Sequence, residues 1–365
     1  MLLAWVFSKS KPTNIHIVDK TVLTRIGQEH VSLNWILNKE KYTKADGSLY
    51  SITEDYHGFF PKEDKKYVID GMEKFTPQEL NKLAEVTDIA YYADTYGIYK
   101  NEWFNQSESL ERSGILYGGM SEQDIQYLTA LKKRKKLIIA EFNDIASPTT
   151  PKVREKFENL FDVKWTGWIG RFFEVLDTTK ANELPNWLTK NYKKQHNNQW
   201  PFVRGGIVLV HESDQIEILE SGVHLKKDLP IIHTSPRYQE QYSLADEVKY
   251  SYWFDILKTK RTNDVISTYT LETTSKGDSI LTQNNILKTF PAVIAHNKAD
   301  YKFYYFAGDF ADNSVSRWSA YFKGISPVAR TVRTFYISDY RGSFFWDFYE
   351  PLMTKILNDN EQSKQ

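Results

Sequence analysis

A strand, helix and strand that follow one another without long loops constrain the fold most, and they occupy residues 114–140. Residues 114–119 (GILYGG) are a short apolar strand that ends in two glycines. Residues 121–136 begin with the helix cap SEQD, continue with apolar residues at helical spacing, and end in a basic run. Residues 137–140 (LIIA) follow at once as a buried strand. Such a unit requires parallel strands, and several in succession predict a parallel sheet covered by helices on both faces.

The same pattern extends toward the N-terminus and changes after residue 200. Strands are predicted at residues 14–18, 65–70 and 88–94, and a capped helix is predicted at residues 76–86. The later sequence is rich in strands, predicted at residues 206–210, 215–219, 265–271, 292–296 and 302–307. The chain is therefore predicted to be an α/β protein with a strand-rich C-terminal extension.

Composition excludes several classes of function. Lys plus Arg and Asp plus Glu both number 47, so the net charge is zero and no nucleic-acid partner is expected. The chain has no Cys, which excludes disulfides and a thiolate nucleophile. The eight His residues lack metal-binding spacing, and neither a P-loop nor a dinucleotide-binding glycine motif occurs. No metal and no cofactor are therefore expected.

Aromatic residues make up 15% of the chain, a high fraction for a neutral protein. These rings either fill the core, where they bury much area, or form a surface that stacks on sugars. The sequence leaves both interpretations open.

Both ends of the chain carry their own predictions. Residues 1–11 begin with the apolar run MLLAWVF, which is either the remnant of a membrane anchor or a disordered start. Residues 344–357 are predicted to form a C-terminal amphipathic helix. The polar residues 358–365 are predicted to be a disordered tail.

Three segments resemble a known superfamily. DIAYYAD at residues 88–94, GGMSEQD at 118–124 and KKLIIAE at 135–141 resemble class I glutamine amidotransferase-like domains, particularly their trehalose-utilisation-type and β-galactosidase middle-domain relatives. FPAVI at 290–294 with KFYYFAGD at 302–309 resembles a late strand pair of that superfamily. The resemblance implies a flavodoxin-like domain over residues 12–345, with an inserted strand-rich segment at about 200–262.

The chain departs from this superfamily at the active-site elbow. The resemblance puts the elbow after the strand at residues 137–140, where a true amidotransferase carries Cys. This chain has Glu141-Phe142-Asn143 there and no Cys anywhere, so glutaminase activity is excluded.

The whole chain also resembles a group of uncharacterised, often membrane-anchored envelope proteins of Bacteroidetes-type bacteria. The matching phrases are VDKTV at 18–22, DYHGF at 55–59, ADTYG at 93–97 and WTGW at 165–168. This resemblance implies a cell-envelope location rather than a cytoplasmic one, with membrane association through an upstream anchor. It implies no reaction.

Candidate site residues follow from the predicted sheet, because ligands of parallel sheets bind at the carboxyl ends of the strands. The residues predicted there are Asp19, Asp94, Tyr96, Gly118, Gly119, Glu141, Asn143 and Asp309. Each of the carboxylates has an alternative role as a helix cap or loop acceptor. Trp168 and Arg171, in the segment WTGWIGR, either line a sugar-binding crevice or belong to a tight structural loop.

The residues and resemblances described above are compatible with three functions. The leading hypothesis is a non-catalytic amidotransferase-like protein of the cell envelope that binds a glycan or protein partners in polysaccharide assembly. The first alternative is a carbohydrate-active hydrolase in which Glu141 and Asp94 form a carboxylate pair, with His57, in a polar loop, transferring protons. The second is a structural subunit of an envelope complex, which requires the apolar segment 344–349 to be exposed.

Overall fold

A computed structural model describes residues 1–105, 113–180, 183–333 and 340–363. The strands are β1 Lys11–Pro12, β2 Ile15–Asp19, β3 Tyr42–Thr43, β4 His57–Pro61, β5 Tyr67–Asp70, β6 Ile89–Asp94, β7 Ile98–Tyr99, β8 Ile115–Tyr117, β9 Leu137–Glu141, β10 Val163–Phe173, β11 Gly206–His211, β12 Ile216–Glu220, β13 Ile231–Thr234, β14 Glu247–Lys249, β15 Phe254–Thr259, β16 Asp264–Thr270, β17 Thr289–Asn297 and β18 Lys302–Phe306.

The α-helices are α1 Leu2–Val6, α2 Val31–Lys39, α3 Pro77–Val86, α4 Lys100–Asn105, α5 Glu122–Lys133, α6 Pro151–Phe161, α7 Asn186–Gln195, α8 Pro236–Tyr242, α9 Ser275–Gln283, α10 Ile325–Arg333, α11 Tyr340–Phe344 and α12 Glu350–Gln362. Short 3₁₀ segments occupy Met72–Lys74 and Arg317–Tyr321, and a π-helical turn occupies Phe345–Tyr349.

The described residues form one large mixed sheet of ten strands, in the order β14-β13-β16-β17-β18-β9-β6-β2-β4-β5. The neighbours from β18 through β9, β6 and β2 to β4 are all parallel. The strands added on either side are antiparallel. The predicted α/β class with strand-rich C-terminal additions is confirmed, and the C-terminal strands extend the same sheet.

Helices cover both faces of this sheet, as two neighbouring tyrosines of β6 demonstrate. Successive side chains of a strand point to opposite faces. The Tyr91 hydroxyl lies 2.8 Å from that of Tyr349, in the π turn before α12. The Tyr92 hydroxyl donates to Asp124 on α5 at 3.1 Å. Every residue of β6 is buried, as a strand between two helical layers requires.

A second, four-stranded antiparallel sheet has the order β12-β11-β10-β15. It meets the large sheet where the Asp255 N–H donates to the Ala307 carbonyl at 3.1 Å. The strands within residues 200–262 are divided between the sheets, because β11, β12 and β15 belong to the small one and β13 and β14 to the large one.

One prediction at the C-terminus is wrong, and the condition attached to one alternative function is not met. Residues 358–362, expected in a disordered tail, continue α12, because Lys11 and Tyr42 donate to Asn358 and Lys302 donates to the buried Asn360. Residues 364–365 lie outside the described residues. The aromatic segment 344–349, whose exposure a structural-subunit role requires, is packed in the core.

Residues Leu2–Val6 form the short helix α1, which contradicts the disordered start, one of the two alternatives for residues 1–11. The Trp5 ring packs edge-on against Tyr321 at 4.9 Å, and its indole N–H donates to the Asn38 carbonyl. Within the described residues, no helix combines the length and apolar character that crossing a bilayer needs.

Candidate functional site

A cleft of about 1090 Å³ lies between the two sheets. Its floor includes Asp94, Asn143 and Asp309, which follow or end the parallel strands β6, β9 and β18. The facing side includes Trp165 and His211 of the small sheet. The cleft therefore lies at the carboxyl edge of the parallel strands, where ligands of such sheets bind.

Partly exposed aromatic side chains line much of this cleft, and we call them the aromatic wall. They are Tyr96, Tyr99, Trp187, Tyr252 and Trp253. Tyr96 and Tyr99 pack together with ring centroids 5.0 Å apart, and Trp253 stacks on Phe142 at 6.3 Å. These contacts pack three of the five rings, Tyr96, Tyr99 and Trp253, against neighbouring aromatic side chains.

Asp94 is the buried carboxyl at the centre of the floor. Its Oδ1 accepts hydrogen bonds from the Thr21 hydroxyl at 2.6 Å and the Tyr96 N–H at 2.5 Å. Burial raises the pKa of Asp94 to about 7, although these donors oppose the shift. A carboxyl in this state can exchange protons near neutral pH.

Three other carboxylates come together at one side of the floor. One oxygen from each of Glu29, Asp309 and Asp312 lies within 4.8 Å of the others. The Arg341 guanidinium donates to the Asp312 carboxylate at 2.9 Å. Burial, followed by the charge of Asp312, raises the pKa of Asp309 and of Glu29 well above the usual range. Among the described residues, this is the group with enough close acidic ligands to hold a cation.

Glu141 ends β9 as predicted, but its side chain does not line the cleft. Its Oε2 accepts hydrogen bonds from the backbone N–H groups of Phe310 at 2.8 Å and Ala311 at 3.1 Å. The carboxyl is fully buried, and burial raises its pKa well above the usual range. Glu141 therefore fixes the loop that carries Asp309 and Asp312, and it does not form an exposed pair with Asp94.

Asp19 lies outside the cleft lining and accepts hydrogen bonds from a loop. Its Oδ2 accepts from the Glu29 N–H at 2.9 Å and lies 2.7 Å from His30 Nδ1. These contacts hold the loop between β2 and α2, and thereby the position of Glu29.

Gly118 and Gly119 also lie outside the cleft lining. The Gly119 carbonyl accepts from the buried Lys20 ammonium at 3.0 Å, and Lys20 also pairs with Asp124 at 2.9 Å. Burial works to lower the pKa of Lys20, but the charges of Asp124 and its neighbours outweigh it and raise the pKa. The Gly119 carbonyl is therefore bonded to a structural ion-pair network.

The remaining three predicted residues lie away from the cleft lining. His57 begins β4, where a loop was expected, and its Nδ1 lies 3.6 Å from Asp70. Trp168 is buried in β10. Arg171 pairs with Glu183 at 2.6 Å and packs over Tyr252, so it contacts the aromatic wall without lining the cleft itself.

Four of the predicted residues thus reach the cleft, namely Asp94, Tyr96, Asn143 and Asp309. Sequence reasoning missed Glu29, Asp312 and most of the aromatic wall. The spacing Asp309-x-x-Asp312 after a predicted strand was a usable signal for Asp312. Glu29 and Trp253 carry no comparable signal, because their positions depend on the packing of distant loops.

Only solved structures, and no sequence family or curated protein, are similar to this chain. No family model matches the chain, and no curated protein matches it. A ThuA-like protein from Parabacteroides merdae is similar over 81% of this chain and 79% of its own, at 10% identity and a TM-score of 0.37. Cytoplasmic protein STM3548 from Salmonella typhimurium is similar over 95% and 98%, at 11% identity and 0.38.

A ThuA-like protein from Bacteroides uniformis is similar over 88% of this chain and 94% of its own, at 8% identity and a TM-score of 0.33. These identities and TM-scores bear on neither function nor family membership. The fold class rests on the sheet topology itself.

Proposed function

We propose that this protein binds a carbohydrate in the cleft. The observation that carries the proposal is the aromatic wall beside a floor of carboxylates. Sugars present C–H faces that pack on aromatic rings and hydroxyls that donate to carboxylates, so they match both surfaces. The volume of about 1090 Å³ is slightly above the roughly 300–1,000 Å³ of small-molecule pockets, which suits a glycan of several rings.

Binding without catalysis is the form of this proposal that we favour. The absence of Cys excludes glutaminase chemistry, and Glu141 is occupied by two backbone donors. A role in polysaccharide assembly at the cell envelope, with an envelope protein as partner, stays a prediction from the sequence resemblance.

A carbohydrate-active hydrolase is the second candidate, and one observation favours it. The Asp94 carboxyl lines the cleft, and burial raises its pKa to about 7, which suits a general acid or base near neutral pH. In this candidate Asp94 acts without Glu141, since the Glu141 carboxyl is held by the backbone of residues 310–311.

A glycan screen with three variants tests these candidates. We expect wild type to bind a subset of immobilised glycans, and Trp187→Ala to weaken that binding about fivefold, since an aromatic contact contributes about 1 kcal/mol. Trp318→Ala is the matched control, because Trp318 is 79% exposed and lies outside the cleft lining. Product release from the same glycans, lost in Asp94→Asn, would establish the hydrolase.

The proposal fails if no glycan binds, or if Trp187→Ala and Trp318→Ala have the same effect. Circular dichroism of each variant checks that the fold is retained.

A further inference from the structure

The three carboxylates at the cleft floor come from two loops that the fold holds rigidly together. Glu29 lies in the loop between β2 and α2, and Asp309 and Asp312 lie in the segment after β18. The Ser32 N–H and hydroxyl both donate to the Ala311 carbonyl, at 2.8 and 2.7 Å. Since Glu141 binds the intervening N–H groups from the other side, the carboxylates stay close without help from a ligand.

The charges at this position are not balanced by the described residues. Arg341 pairs with Asp312, and this is the cation that the described part of the chain supplies to the group. Asp309 is only 7% exposed, and its carboxylate, which reaches the cleft, has no hydrogen-bond donor among the described residues. The Glu29 carboxylate has no such donor in the described residues either, although its backbone N–H is bonded.

An unpaired, buried carboxylate aimed at two others is costly unless a cation or a proton compensates it. The lack of a hydrogen-bond donor to the Asp309 carboxylate is an observation independent of the short distances between the three carboxylates. Acidic residues that lie close together are commonly exposed or hydrogen-bonded. Asp309 therefore either keeps a proton, as its raised pKa indicates, or takes a positive partner that the described residues do not supply.

The ligand set indicates which ion would fit. Every candidate ligand is a carboxylate oxygen, which selects hard cations and excludes sites built on His or Cys. Ca²⁺ takes several carboxylates among its six to eight oxygen ligands in flexible geometry, whereas Mg²⁺ is usually bound by one or two carboxylates and keeps several waters. Three carboxylate oxygens within 4.8 Å of one another therefore suit Ca²⁺ better by their number.

We propose that Glu29, Asp309 and Asp312 bind a divalent cation, with Ca²⁺ preferred over Mg²⁺. Glu29 and Asp309 line the cleft, so an ion held there would keep coordination positions open toward it. Water would fill these positions in the free protein. If the proposed glycan binding holds, sugar hydroxyls would replace that water, and this last step alone rests on the proposed function.

Calorimetric titration of EDTA-treated, full-length protein with CaCl₂ tests the ion site without any sugar. We expect one Ca²⁺ per chain, a higher melting temperature with Ca²⁺, and weaker binding of Mg²⁺. Asp309→Asn should weaken Ca²⁺ binding at least tenfold. Asp228→Asn is the matched control, because Asp228 is exposed in another loop, and its Ca²⁺ affinity should stay within twofold of wild type.

The inference is overturned if wild type binds no Ca²⁺, or if Asp309→Asn binds it as wild type does. If Asp309→Asn does not fold, Glu29→Gln at a half-buried position replaces it under the same criteria. Glycan binding measured with EDTA and with Ca²⁺ then separates the two proposals. A glycan that binds equally in both supports the cleft proposal alone, and Ca²⁺ binding without any glycan supports the ion site alone.

Discussion

Asp255 is a fully buried carboxyl in β15 that makes the stability of the protein depend on pH. Its Oδ2 accepts a hydrogen bond from the Tyr305 hydroxyl at 2.6 Å, and its Oδ1 has no partner among the described residues. Burial raises the pKa of Asp255 to about 7, whereas an unfolded Asp titrates near 3.9. The folded state therefore retains a proton that the unfolded state has lost.

The raised pKa of Asp255 makes the protein less stable as the pH rises. A raised carboxyl pKa contributes stability that is complete below about pH 4 and is lost as the pH rises through about 7. Asp255→Asn cannot ionise, so we expect its melting temperature relative to wild type to be higher at pH 8 than at pH 5. Between pH 4 and pH 8, ionisation of Asp255 lowers the free energy of unfolding of the wild type by on the order of 4 kcal/mol.

Thermal melts at both pH values check this prediction, with the exposed-site variant Asp228→Asn as control. The control should differ from wild type by the same amount at both pH values. A difference between Asp255→Asn and wild type that does not change with pH would refute the assignment.

At the scale of elements, β10 is the strand whose shape determines one side of the cleft. Its pairing with β15 shifts register between Trp165 and Ile169, and Gly167 has a φ of +90° at this bulge. A Cβ on Gly167 would lie 2.5 Å from His211 Nε2, so any other residue at this bulge would strain the backbone and displace the His211 ring.

Gly167→Ala should therefore destabilise the protein more than a glycine substitution that creates strain alone. Gly47 is the matched control, because its φ is +84° and a Cβ there meets no atom within 4 Å. We expect Gly47→Ala to cost about 1 kcal/mol from strain and Gly167→Ala to cost about 1–3 kcal/mol more from the clash. Urea denaturation measures both, and equal costs would contradict this view of the bulge.

The elements differ in how well the sequence predicts them. The parallel strands β6 and β9 and the helix α5 are visible because continuous apolar runs and a capping box act locally. The strand β4 has the sequence HGFFP, without alternation, and it forms because β2 and β5 pair with it. The end of α12 likewise depends on donors from residues far away in the chain.

At the scale of the whole molecule, the carboxyl edge of the parallel strands was predictable and the cleft was not. Strand ends indicated Asp94 and Asp309 because parallel strands bring their ends to one edge. The aromatic wall includes Trp187 of α7 and Trp253 before β15, from distant parts of the chain. Their meeting depends on how the small sheet packs on the large one, which local sequence patterns do not encode.

Hydrogen–deuterium exchange with and without the tightest glycan from the screen tests the central claim most directly. If the ligand binds in the cleft, we expect slower exchange in peptides from its floor and its aromatic wall, which cover residues 94–99, 142–147, 183–187 and 252–253. Peptides covering α1 and residues 317–321, outside the cleft, should exchange unchanged. Protection confined to those outer peptides, or no protection anywhere with a glycan bound, would contradict binding in the cleft.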